Sequence, residues 1–116
     1  MVLADGIIIG TPVYFSGPNG VLTAILDRVF YASQSNGNLL VGKPAAAVAI
    51  LYRSGSNHAI DRINKYFTFN GMPIVSASYW AMKFGDVSNV PDDVKDRDTM
   101  YSLGVNMANM LKQLNK

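Results

Sequence analysis

The stretch Asp5-Gly6-Ile7-Ile8-Ile9-Gly10-Thr11-Pro12 holds a short β-branched run between an acidic residue and a Thr-Pro breaker. A second apolar run, Ala45–Leu51, stands between Gly42-Lys43-Pro44 and a polar segment that starts at Arg53. Neither run alternates polar with apolar residues, which is typical of strands in a parallel sheet with helices on both faces. The two runs therefore predict buried strands, and Met72–Ser76 is a third candidate strand.

Helical patterns fill the intervals between these strands. Pro18-Asn19-Gly20 supplies start signals for a helix that runs to Phe30. Its apolar residues recur at spacings of one and four and predict a single buried stripe: Val21, Leu22, Ile25, Leu26, Val29 and Phe30. A second helix is predicted from about His58 to Phe69, with Asn57 as its N-cap and Asn70-Gly71 at its end. Its buried stripe consists of Ile60, Ile63 and Phe67.

A third helix begins near Asp98, which is a possible cap. It carries a core-facing series at spacings of three and four: Met100, Gly104, Met107, Leu111 and Leu114. Strands and helices thus alternate along the chain. This order indicates right-handed βαβ units and a doubly wound α/β sheet.

Composition excludes several classes of protein. A chain of 116 residues, 49% apolar and 16% charged, is one domain and not a disordered segment. Ten basic against eight acidic residues, with no basic cluster, argue against a nucleic-acid partner. The absence of Cys removes disulfides and thiolate ligands. No apolar run approaches the about 20 residues of a membrane span, so a soluble, cytoplasmic protein without a membrane partner is expected.

Candidate ligand-binding residues follow the predicted strands, because open α/β sheets bind ligands beyond the carboxyl ends of their strands. Three segments should therefore meet at one edge: Thr11–Asn19, Tyr52–Asn57 and Ala77–Phe84. They contribute the aromatic pairs Tyr14-Phe15 and Tyr79-Trp80, the cation of Arg53, and Gly and Ser backbone donors. This set suits a flat, anionic ring system. The same residues also fit a structural reading, in which the aromatic pairs fill the core or a subunit contact and Arg53 is a solvated charge.

Other chemistries have little support. No G-x-G-x-x-G, P-loop or G-x-S-x-G motif occurs, which argues against a Rossmann dinucleotide site, nucleotide hydrolysis and a serine hydrolase. His58 is the only histidine and has no acidic neighbour in sequence, so a metal site is not expected.

The segment Asp5–Phe15, followed by Gly20–Arg28, resembles the central motif of the NADPH-dependent FMN reductase family. These are flavodoxin-like proteins that include iron–sulfur flavoproteins and flavodoxin-type quinone reductases. The likeness continues through Gly42-Lys43-Pro44, Ser78-Tyr79-Trp80 and Leu103–Ala108. The resemblance implies a three-layer αβα fold around a parallel sheet. It also implies that residues 1–116 are a single, incomplete domain that lacks the first two strands of the family fold.

The resemblance implies an FMN site at the predicted edge. One matched loop flanks the flavin ring with Thr11, Pro12, Val13, Tyr14 and Phe15, and the other places Arg53, Ser54 and Gly55 near the ring oxygens. The implied function is electron transfer from NAD(P)H through FMN to a quinone, flavin or other small redox acceptor, with no side chain as acid, base or nucleophile. Two departures from the family pattern fall at this edge, Ser56-Asn57 and Ala81.

The missing strands allow an alternative function. Without them the strand at Ile7–Ile9 has an open apolar edge that invites pairing with another chain. The chain is then a fragment, a half completed by another chain, or a homo-oligomer through that edge. A flavin-free domain that acts only in assembly is the alternative to the oxidoreductase.

Overall fold

The computed structural model describes residues 1–84 and 94–115. Within them the strands are β1 (Ile7–Tyr14), β2 (Gly17–Pro18), β3 (Ala45–Leu51) and β4 (Met82–Phe84), and the helices are α1 (Gly20–Ser35), α2 (Ser56–Phe69) and α3 (Val94–Leu114). The spatial order of the strands is β2-β1-β3-β4. β1, β3 and β4 run parallel, and the short β2 folds back antiparallel on β1. The alternating α/β order predicted from sequence is confirmed.

The sheet separates two apolar cores. β1 and β3 pair in register from Ile7 with Ala45 to Pro12 with Ile50. Alternate residues of these strands pack with α1 and α2 in the larger core, whose members include Ile9, Ala47, Leu26 and Phe67. The opposite face of β3 packs with α3 through Ala46, Leu103 and Met107. The three-layer αβα architecture is therefore confirmed.

β1 is covered on one face only. Ile7 and Ile9 are buried, whereas Ile8 between them is 52% exposed. α3 reaches this face at Gly6, where an added Cβ would lie 3.2 Å from the Met107 sulfur, but it does not extend over Ile8. The prediction that both faces of this strand are buried is wrong, because no described helix covers the face at Ile8. The outer edge of Ile7–Pro12 is also unpaired by any described strand. β3 has a strand on either side and is mostly buried.

The prediction of a third strand at Met72–Ser76 is also wrong. Met72–Ser76 contributes only one bridge, in which the Val75 N–H donates to the Ala45 carbonyl at 2.8 Å. The chain then leaves the sheet and returns as β4, where Met82 pairs with Ala49. Pro73 has no N–H to donate, which limits how far this segment can pair as a strand.

α1 begins as its start signals predict, since the Asn19 Oδ1 accepts the Leu22 N–H at 3.0 Å. Leu26 and Phe30 are buried. Val21 is 71% exposed and Ile25 is also exposed, so the predicted single buried stripe is wrong. The apolar residues of α1 lie on two flanks, and the described structure covers one of them.

α2 differs from prediction at its start and agrees at its end. Its N-cap is Gly55, which makes no side-chain cap, so the assignment of Asn57 is wrong. Asn70 is the C-cap and Gly71 has a φ of 65°, as the Asn-Gly pair predicts. The predicted stripe of Ile60, Ile63 and Phe67 is buried.

α3 begins at Val94, before its predicted start, so Asp98 lies inside the helix and does not cap it. Within the predicted stripe, Met107 is buried and Met100 and Leu111 pack against the smaller core, while Gly104 and Leu114 are exposed. Residues 85–93, which precede α3, lie outside the described residues. No helix in the described ranges is long and apolar enough to cross a membrane.

A polar contact joins α1 to α2. The Tyr66 hydroxyl donates to the Asp27 carboxylate, and the Arg62 guanidinium lies 3.8 Å from the same carboxylate and 4.9 Å from the centre of the Tyr66 ring. Burial raises the pKa of Tyr66 to about 12, and the hydrogen bond to Asp27 adds to the rise, while Arg62 opposes it. The neutral phenol is thus favoured in the folded protein.

This pKa predicts a loss of stability in alkali. Tyr66 titrates near pH 10 when unfolded and near pH 12 when folded, so its contribution is complete below pH 10 and disappears as the pH rises to 12. The difference of two pKa units corresponds to at most about 3 kcal/mol in the free energy of unfolding. Urea unfolding of wild type and Tyr66→Phe at pH 8, 10 and 11.5 measures it. The difference in the free energy of unfolding between wild type and Tyr66→Phe should decrease as the pH rises. A difference that stays constant with pH would contradict the raised pKa of Tyr66.

Candidate flavin-binding edge

Two turns meet at the carboxyl edge of the sheet. The hairpin turn, Phe15-Ser16, joins β1 to β2, and the glycine turn, Arg53–Gly55, joins β3 to α2. β1 and β3 reach this edge side by side, because Pro12 pairs with Ile50. A Cβ at Gly55 would lie 2.7 Å from the Ser16 Cβ and closer still to the Ser16 Cα. The two predicted loops are therefore in direct contact.

The hairpin turn holds an uncommon backbone conformation. Phe15 and Ser16 have φ values of 48° and 61°, and the flanking residues Tyr14 and Gly17 pair antiparallel. Two left-handed residues in a two-residue hairpin are usually Asn and Gly, and other residues cost about 1 kcal/mol or more each. Phe15 is also fully exposed. Strained, exposed residues of this kind are concentrated at functional sites.

Thr11 holds this loop from inside. Its side chain is 2% exposed, and its Oγ1 accepts the Asn19 N–H at 2.9 Å and donates to the Pro12 carbonyl at 2.8 Å. Val13 is likewise turned inward and packs against the larger core. Of the first predicted set, Pro12, Tyr14 and Phe15 present exposed side chains at the edge.

The glycine turn supplies positive charge and hydrogen-bond donors. Arg53 and Ser54 are exposed, and the Arg53 guanidinium lies 5.6 Å from the centre of the Tyr52 ring. The Ser56 hydroxyl points inward, 3.2 Å from the Met82 sulfur, so it does not cap α2. The first-turn N–H groups of α2 therefore have no side-chain cap, and an uncapped helix N-terminus favours electron-rich oxygen atoms.

The aromatic pair of the third predicted segment, Tyr79 and Trp80, does not lie at this edge. Met82–Phe84 pairs with Ala49–Leu51, so Tyr79 and Trp80 lie on the approach to β4 and not beyond its carboxyl end. Trp80 lines a small cavity with Ile60 and Ala47, near the middle of the sheet. Their predicted place among the edge residues is wrong, because the strand on which it depended is displaced along the chain.

Three residues lie within the predicted edge segments but were not among the candidate ligand-binding residues: Ser16, Asn19 and Tyr52. Ser16 packs against Gly55, the Asn19 N–H fixes the Thr11 hydroxyl, and Tyr52 stacks with Arg53. Phe-Ser lacks the Asn-Gly signature of a two-residue hairpin, so the turn gave no signal. In the sequence, the signal for the contact at Gly55 was a Gly that follows the polar pair Arg53-Ser54 after β3.

The donor set fits the ring of a flavin. A flavin presents a flat aromatic surface and a polar edge of ring carbonyls and nitrogens, which becomes negatively charged on reduction. Arg53 and the uncapped N–H groups of α2 are of the kind that such an edge requires, and Tyr14 and Phe15 are exposed aromatic groups beside it. Fold and edge together define a flavodoxin-like α/β protein with a candidate ring-binding site.

Comparison with known proteins identifies the family. The model of the NADPH-dependent FMN reductase family matches residues 1–86, and the chain belongs to that family. The family is one of flavin-binding oxidoreductases. Two curated relatives are iron–sulfur flavoproteins of Methanocaldococcus jannaschii: MJ1083 is 31% identical over 97% of this chain, and MJ0731 is 33% identical over 70%. The chain spans 62% and 42% of their lengths.

Solved structures agree on the fold. A WrbA-like flavodoxin from Agrobacterium tumefaciens superposes with a TM-score of 0.79 at 22% identity, covering 97% of this chain and 69% of that protein. An archaeal flavodoxin superposes at 0.70 and 22% identity, covering 94% and 66%. The flavodoxin-like fold is therefore confirmed. Iron–sulfur clusters are held by Cys, and this chain contains none, so its residues do not fit the cluster that the relatives' names indicate.

Proposed function

We propose that the hairpin turn and the glycine turn bind the isoalloxazine ring of FMN, and that the protein passes electrons from NAD(P)H through this flavin to a small acceptor such as a quinone or a free flavin. The contact of Ser16 with Gly55 carries the proposal, because it brings the exposed aromatic groups and the uncapped end of α2 to one place. FMN supplies the redox chemistry when bound.

Each side of the site has a distinct role in this proposal. Arg53 and the N–H groups at the start of α2 stabilise negative charge on the polar edge of the ring, and Ser54 adds a hydroxyl. Pro12, Tyr14 and Phe15 line the ring. Thr11, Val13 and Gly55 act from inside as positioning residues, since they fix the loop and allow the turns to touch.

Flavin titration tests this proposal. FMN fluorescence should be quenched with micromolar affinity, and Arg53→Gln should weaken binding by roughly tenfold, the effect of about 1.4 kcal/mol from one charge-assisted interaction. Riboflavin should bind within about threefold of FMN, because every proposed contact is to the ring. Arg28→Gln, an exposed arginine of α1, is the matched control and should bind like wild type.

The outcomes separate the parts of the proposal. Absence of quenching, with no flavin retained after desalting, would contradict flavin binding and favour the flavin-free alternative. Equal affinity in Arg53→Gln and wild type would contradict the role of Arg53 alone. Flavin binding without steady-state oxidation of NADPH or NADH, with menadione as acceptor, would contradict the proposal that NAD(P)H is the electron donor. It would favour an electron carrier.

A second candidate role, assembly through the β1 side, is favoured by three exposed apolar side chains. Ile8 lies on one face of the sheet, and Val21 and Ile25 lie on α1 above the other face. Asp27 faces α2, so Val21 and Ile25, on the opposite flank of the helix, face away from it. Ile8 also lies in the part of β1, Ile7–Pro12, along whose outer edge no described strand pairs. We propose that this side is covered by a second copy of the chain.

Self-association should depend on the edge strand. Sedimentation velocity should show a species larger than a monomer at high concentration. Ile8→Lys should shift it to the monomer, because an inserted charge blocks strand pairing and apolar burial. Val105→Lys, at an exposed apolar residue of α3, is the control and should leave the association unchanged. A compact monomer at every concentration would rule out the second copy.

A further inference from the structure

A cleft separate from the flavin edge lies between the C-terminal halves of α1 and α2. Its volume is about 630 Å³, within the roughly 300–1,000 Å³ of small-molecule sites. Phe30 and Tyr66 form its buried floor, with ring centres 5.3 Å apart. Tyr31 and Phe69 stand at its rim and are 73% and 78% exposed. The cleft therefore offers aromatic surface below and on both sides.

The cleft is far from the two turns. Its first residue on α1 is Asp27, seven positions after Gly20, which corresponds to about 10 Å along the helix from its N-terminus. The flavin edge lies at the N-terminal ends of α1 and α2, because these helices follow β2 and β3. The cleft lies toward the other ends, at Phe69 and Asn70. A ligand here would not overlap the flavin edge.

Charge in the cleft is positive on balance. Asp27 accepts the Tyr66 hydroxyl and lies 3.8 Å from the Arg62 guanidinium, so its charge is already compensated. Lys65 lines the same cleft from the next turn of α2 and is exposed. Arg62 balances the charge of Asp27, so Lys65 is the additional cation beside the aromatic surface. This arrangement favours an occupant with one negative charge.

We propose that the cleft binds a small amphipathic monoanion, with a flat apolar body between Tyr31 and Phe69 and a carboxylate or sulfonate beside Lys65. The aromatic floor and rim supply dispersion and ring contacts to the body of the ligand. Lys65 selects for the acid over a neutral compound of the same shape. This site is independent of flavin binding.

Nuclear magnetic resonance titration of the ¹⁵N-labelled chain tests the site with 2-naphthoate. Amide shifts are expected on α1 from Asp27 to Gln34 and on α2 from Arg62 to Asn70. The neutral analogue 2-naphthalenemethanol should bind at least threefold more weakly. Lys65→Gln should weaken 2-naphthoate at least threefold and leave the neutral analogue unchanged, whereas Lys112→Gln, an exposed lysine of α3, should change neither. Both lysines are exposed, so neither variant should disturb the fold.

Three results would overturn the proposal. The first is no shift in the cleft at millimolar 2-naphthoate, or shifts confined to the β1 side. The second is equal affinity for the acid and the neutral analogue, or for wild type and Lys65→Gln. The third is a concentration-dependent dimer that buries the cleft and excludes 2-naphthoate, since the occupant would then be a second copy of the chain.

Discussion

Gly55→Ala is expected to lower the free energy of unfolding by about 3–4 kcal/mol and to weaken FMN binding at least tenfold. Gly55 has a φ of 93°, a left-handed conformation that costs a residue with a Cβ about 1–2 kcal/mol. The added Cβ would also lie 2.7 Å from the Ser16 Cβ and nearer to its Cα. Because the Ser16 backbone must then move, the hairpin turn separates from the glycine turn.

Gly37→Ala is the matched control for this substitution. Gly37 has a φ of 89°, nearly that of Gly55, but nothing lies within 4 Å of a Cβ built there. The free energy of unfolding of Gly37→Ala should fall only by the conformational cost, about 1 kcal/mol, and the variant should bind FMN like wild type. Urea unfolding and FMN titration of both variants measure the difference. Equal losses would show that the contact between the turns contributes nothing.

Thr11→Val should have the second-largest effect, a loss of about 2–3 kcal/mol in the free energy of unfolding. Valine has nearly the shape of threonine but no hydroxyl. The Asn19 N–H and the Pro12 carbonyl would each lose a partner beside a side chain that is 2% exposed. An unpaired buried polar group keeps its full desolvation penalty, which makes the loss larger than that of an exposed hydrogen bond.

Thr11→Ser separates the hydroxyl from the methyl group. Serine keeps both hydrogen bonds and removes one buried methyl group. The free energy of unfolding of Thr11→Ser should therefore fall by about 1 kcal/mol, and its affinity for FMN should be unchanged. Thr11→Val should weaken FMN binding as well, because the loop that presents Tyr14 and Phe15 is no longer fixed. Urea unfolding and FMN titration test both variants. If serine and valine have the same effect, the methyl packing and not the hydroxyl fixes the loop.

Much of the candidate site was predictable because it depends on strand ends. The positions of β1 and β3 place their following loops at one edge of any parallel sheet. The resemblance to the FMN reductase family then assigned a flavin to that edge. The orientation of Thr11 was not predictable, since a threonine at a strand end is found both inside and outside. The structure turns it inward to bind Asn19.

The errors in the predicted burial share one cause. Val21 and Ile25 fit an amphipathic helix as well as Leu26 does, and Ile8 fits a buried strand as well as Ile9 does. Apolar character shows that a side chain favours burial, but not whether a neighbouring element is present to bury it. The prediction of a strand at Met72–Ser76 is wrong for a related reason. Met82–Phe84, and not Met72–Ser76, forms the strand that pairs with β3, and no local sequence pattern indicates this choice.

The amino-acid sequence by itself determined the elements whose information is local: the strands around Ile7–Ile9 and Ala45–Leu51, the cap at Asn19 and the helix end at Asn70. Backbone propensity, hydrophobic period and turn chemistry act within a few residues, so they can be read along the chain. Only the tertiary structure decided that Ser16 rests on Gly55, that Thr11 faces inward and that one side of β1 stays open. Those features depend on which distant segments become neighbours, and close packing, not local preference, selects them.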